Sequence, residues 1–201
     1  MFRRRQPSPA AAPATDPLGG FEPQWRVAVG EALDSRDRLY ALVAQVPEGP
    51  LRDRLSSMTA RADVAVQTAW DIASRAQGAA RLVATLDRDG VEDRLKRTRR
   101  RLAGLVVGDP EAARLETAAA LLTDQYAALN QLANTVEDAN EQLRLLDLRL
   151  DAVVAKAAQL VMRPDSMGEL AAVEGQLDSA VGELNALGAG LAAVDALSGM
   201  P

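Results

Sequence analysis

The sequence predicts an all-α fold: an elongated antiparallel helical bundle with coiled-coil seams, made of four long helices around a central hairpin over 50–163. Three observations lead there. Between positions 115 and 160, alternate steps of three and four select Leu115, Ala118, Leu122, Gln125, Leu129, Leu132, Val136, Ala139, Leu143, Leu146, Leu150, Val153, Ala157 and Leu160. Thirteen of these fourteen are apolar, and no Gly or Pro interrupts them. A 3.5-residue period held this long marks a helix, roughly 70 Å in length, whose apolar stripe meets other helices continuously. Hydrophobic residues make up 48% of the chain but aromatic ones only 3%. The apolar mass is therefore Ala, Leu and Val, which suits thin seams between helices and is short of strand-forming runs. Pro-rich or Gly-rich breaks at 47–50, 108–110 and 163–166 punctuate the chain where helices stop and restart.

Taken in order, residues 1–20 hold four prolines and a Gly-Gly pair. They bury too little apolar surface to offset ordering and are expected to be a flexible tail, followed by a helical domain over 21–199. The first helix is expected over 23–46, with Pro23 in its first turn. Trp25, Ala28, Ala32, Leu39, Leu42 and Val46 form one stripe, interrupted by Ser35. The second helix starts at Pro50. Its stripe is Leu51, Leu55, Met58, Ala62, Ala65, Ala69, Ile72, Ala76, Ala79, Val83 and Leu86, with Trp70 beside it; alanine-rich seams let helix axes approach closely. A break or kink is expected at Gly90, in Asp87-Arg88-Asp89-Gly90. That run lacks the later ligands of a calcium loop. The stripe resumes at Val91, Leu95, Thr98, Leu102 and Leu105, and Gly108-Asp109-Pro110 reads as end, N-cap and first turn of the next helix.

The third helix is the 115–160 stretch, where Gln125 is expected to be a buried amide that fixes register. Asp165 or Ser166, with Glu169, reads as a capping box for the fourth helix, whose seam is Leu170, Val173, Leu177, Ala180, Leu184, Leu187, Leu191 and Val194. A second column, Gly168, Gly175, Gly182, Ala189 and Ala196, recurs every seven residues on the opposite face. Each exposed helical Gly costs about 1 kcal/mol relative to Ala, so the column is a candidate for close approach by another helix. Short connections make neighbours antiparallel. They leave a two-helix stalk at about 80–130, with separate folding back of 91–107 as the alternative.

The chemistry is narrow. Cysteine and histidine are absent, which excludes disulfides, thiol nucleophiles, Cys/His zinc sites, imidazole catalysis and His-containing di-iron sites. No run of about 18 apolar residues predicts a membrane span. Glu137, Asp138 and Glu141, and the pair Asp147 and Asp151, read as solvated acidic faces beside an apolar seam. No catalytic residue, cofactor or metal is expected.

Net charge is −5, which argues against general nucleic-acid binding while leaving room for a local patch. That patch is Arg94, Lys96, Arg97, Arg99, Arg100 and Arg101, with a sum of +4 over 92–101. It is a candidate contact for an anionic partner, and no aromatics interleave with it for base stacking. The expected function is a non-enzymatic coiled-coil scaffold or adaptor that acts through protein partners or itself, in a bacterial cytoplasm. The first alternative is a peripheral membrane or envelope-stress protein that uses the basic residues of 2–5 and the stalk tip. The second is a nucleic-acid-associated protein.

Overall fold

The computed structural model of the chain describes residues 17–106, 109–162 and 170–198. Among them there is no strand. A short 3-10 turn, Pro17–Gly20, precedes five α-helices that pack on one another: α1 Pro23–Ala44, α2 Pro50–Thr85, α3 Arg88–Ala103, α4 Pro110–Met162 and α5 Leu170–Ser198.

Five helices stand where four were expected because the second segment breaks between Thr85 and Arg88. Leu86 is extended, and Asp87, at φ −75° and ψ 73°, forms an inverse γ-turn closed by the Arg88 amide on the Leu86 carbonyl at 2.9 Å. The Asp87 carboxylate then caps α3, accepting from the Gly90 amide at 2.9 Å. The break thus lies three residues before Gly90, which belongs to the first turn of α3. A β-carbon at Gly90 would fall on the Asp87 carboxylate, which would have to turn away from its present position.

Other punctuation follows local chemistry. Pro23, Pro50 and Pro110 each open a helix, where a missing amide hydrogen leaves no bond unmade. Asp109 Oδ1 accepts from the Glu111 amide at 2.8 Å and caps α4. Gly49, ahead of α2, sits at φ 150° and ψ −179°, a region open essentially to glycine. The proposed capping box at 165–169 lies outside the described residues.

α1 and α5 each pack on both α2 and α4, and α2 also packs on α4. Cross-helix bonds set the directions. Arg36–Asp63 and Arg81–Glu22 run α1 antiparallel to α2, whereas Arg54–Glu174 and Arg75–Gly188 run α5 parallel to α2. The seam side chains fill the space between. Trp25, Leu39, Leu55, Met58, Leu143, Leu146, Leu150, Leu160, Leu177, Leu184 and Leu191 are the large, fully enclosed ones. α2 buries a second stripe, including Thr59, Val66, Ala73 and Gln77, because it touches three helices.

Among the described residues, α3 packs mainly on α4. Over 110–128 none of the residues of α4 is fully buried. This corrects the expectation for Gln125, which is exposed. The buried seam of α4 begins one turn further on, at Leu129. Pro17–Gly20, the last residues of the expected tail, form the 3-10 turn that leads towards α1. Phe21 is buried and meets Trp70 edge to face at 5.0 Å. Buried Gln77 donates to the Gly20 carbonyl at 3.0 Å and accepts from the Glu22 amide at 2.6 Å.

Candidate functional site

α3 carries the densest charge. Val91 and Leu95 are buried against α4, with Thr98 and Leu102 half-buried, so the helix shows α4 one stripe and solvent the rest. Arg94, Lys96, Arg97, Arg99, Arg100 and Arg101 are all exposed. Helical spacing puts Arg94, Arg97 and Arg101 on one flank and Lys96, Arg99 and Arg100 on the other. Some of this charge is already engaged. Lys96 pairs with Glu92 at 2.7 Å, a bond that holds its ammonium above the ordinary lysine range. Arg101 pairs with Glu111 on α4 at 2.5 Å, and Arg99 donates to Thr123 Oγ1 at 3.1 Å. Arg94 donates its Nε–H to the Gly90 carbonyl at 3.3 Å. Arg97 and Arg100 have no ion pair among the described residues; with Lys96 and Asp93 they line a shallow open depression.

The sequence did not announce a polar cluster between α1 and α4. Ser35, fully enclosed, donates to Asp151 Oδ1 at 2.7 Å, and Arg38 donates to both the Ser35 hydroxyl (2.7 Å) and Asp151 Oδ1 (2.6 Å). Asp147 lies one turn before Asp151. Partial burial lifts its carboxyl above the ordinary Asp value, the Asp151 and Glu31 carboxylates push the same way, and Arg38 and Ser35 oppose them. Asp147 and Asp151 are thus part of a helix interface and more than a solvated face. Among the described residues no group of three or more acidic side chains is placed to hold a metal ion. No described helix is long and apolar enough to cross a membrane.

Comparison with family models, curated proteins and solved structures gives no match. What the chain does must be read from its own surfaces. On α5, Gly175, Gly182 and Ala189 face solvent, and a β-carbon at Gly175 or Gly182 would meet nothing within 4 Å. Gly168 and the side chain of Ala196 lie outside what the structure describes. The close approach on α5 is at Gly188 instead, one residue off that column. It is buried, and a β-carbon there would come 2.8 Å from Ile72 Cδ1 of α2. On α4, Glu141, Leu145, Leu148, Ala152, Ala155, Gln159 and Met162 form an outward stripe at alternate steps of four and three, all exposed. Leu148 keeps 64% of its surface and Met162 84%.

Proposed function

We propose that the chain is a non-enzymatic helical scaffold of coiled-coil type, which works by association through its outward helix faces. The first occupant of those faces is a second copy of the same chain. The observation that carries this is the outward stripe on α4. It repeats the step pattern of the buried seam on the same helix, so a helix of this chain already has the spacing needed to meet it. The column Gly175, Gly182 and Ala189 on α5 supplies a second outward face on which a helix backbone can come close. An interface between identical copies uses one patch twice, and a stripe centred on Leu145 and Leu148 offers like to like. The same reading treats α3 with the first turns of α4 as a two-helix stalk that sets the distance between the bundle and whatever binds its tip.

Light scattering on the full chain tests this. The expected mass is twice 21.3 kDa at micromolar concentration, with Leu148→Glu returning the chain to a monomer of unchanged helicity. A wild-type chain that stays monomeric at high micromolar concentration overturns self-association. Scaffolding would then rest on a different protein, to be sought by capture from the native host.

A further inference from the structure

The cations of α3 are independent of the outward stripe on α4 and call for a different partner. We propose that α3 is a sequence-independent contact helix for duplex DNA, holding phosphates on either side of a groove through Arg94, Arg97 and Arg100, with Lys96 and Arg99 in support. All these side chains are exposed, and α3 buries only the Val91 and Leu95 stripe, against α4. They lie on both flanks of the helix within two turns, and a major groove about 12 Å wide admits one helix with phosphates to either side. A flat bilayer meets a single face. It also rewards large apolar side chains, and the outward positions Asp89, Asp93, Lys96, Arg97 and Arg100 include none. Single strands are held largely by aromatic stacking, and 94–101 holds no aromatic residue. A-form RNA has a deep, narrow major groove that a helix does not enter. Guanidinium groups predominate in the set, and they match phosphate in a fork geometry that an ammonium lacks.

The four carboxylates of Asp87, Asp89, Glu92 and Asp93 lie in the first turns of α3 and its cap, with every cation but Arg88 in the later turns. This order suits the helix dipole, and it also leaves the later turns as the part of α3 that faces a polyanion. Lys96 and Arg101 already have carboxylate partners. The expected contact is therefore small, about three to four phosphates, giving a slope of log K against log salt of about −3 to −4.

The test is fluorescence anisotropy of a labelled DNA duplex titrated with the full chain across a salt series starting near about 50 mM. Binding with that slope is expected. In the double variant Arg97→Gln, Arg100→Gln, which preserves helix propensity, the slope should fall by about two while circular dichroism stays unchanged. Arg94→Gln, a second variant, should lower it by about one. Absence of binding at the lowest salt overturns the proposal, as does binding that both variants leave intact. So does equal or tighter binding to single strands, to duplex RNA or to vesicles rich in anionic phospholipid.

Discussion

At the scale of single residues, the side chains that pin the helices together are polar and far apart in sequence. Gln77 joins α2 to the backbone on both sides of Phe21. Gln77→Ala would leave the Glu22 amide and the Gly20 carbonyl without that partner, and is expected to lower stability by about 1–3 kcal/mol in denaturant unfolding. Asp147 gives the opposite sign. Its carboxyl titrates above the ordinary Asp value in the folded chain, so the folded state holds its proton to higher pH than the unfolded state does. Stability is gained as pH falls through that window and lost as pH rises through the folded-state value. Asp147→Asn should therefore raise the melting temperature slightly at neutral pH, and the gain should vanish below the ordinary Asp range. A variant less stable than wild type at neutral pH would show that the carboxylate is wanted there. The glycines divide in the same way. At Gly175 and Gly182 a methyl group meets open space, and each change to Ala should stabilise the monomer by about 1 kcal/mol. None of these polar contacts was legible beforehand, because periodicity reports which face is apolar and says nothing about which distant amide or carboxylate a side chain will reach.

At the scale of elements, apolar spacing located the helices well and local chemistry fixed their ends. The stripes of α1, α2 and α5 are buried wherever they are described, apart from half-buried members and exposed Leu86 at the C-terminal end of α2. Even Ser35, read as an interruption, is enclosed through its bond to Asp151. The break after α2 was misplaced at Gly90 because glycine was weighed as a helix breaker, whereas the decisive residue is Asp87, whose carboxylate closes the first turn of α3. Asp87→Ala should cost about 1 kcal/mol, seen as lower helicity and faster amide exchange in α3 with the bundle unaffected. Gly49 makes the matching test at the start of α2. Its φ of 150° leaves no relaxed place for a side chain, so Gly49→Ala should destabilise the fold by about 1–3 kcal/mol, read as a lower denaturation midpoint.

At the scale of the whole molecule, α4 is the member on which everything else is assembled: α1, α2, α3 and α5 all pack against it. The pattern over 115–160 revealed that helix but not how its surroundings change along its length. Seam positions read alike at 118–125 and at 143–150, yet the first set is half-buried or exposed and the second is enclosed. Which stretch of a long helix its neighbours enclose is a matter of tertiary packing that no local spacing encodes, and Gln125 falls in the stretch left open. Leu146 sits in the enclosed part with no exposed surface, so Leu146→Ala should cost about 2–5 kcal/mol. The most direct measurement of this architecture is amide hydrogen exchange resolved along α4 in the full chain. Slow exchange is expected across 129–160, where α4 packs within the bundle, and clearly faster exchange across 110–128 and through α3. Uniform protection along α4, or rapid exchange at 143–150, would contradict it.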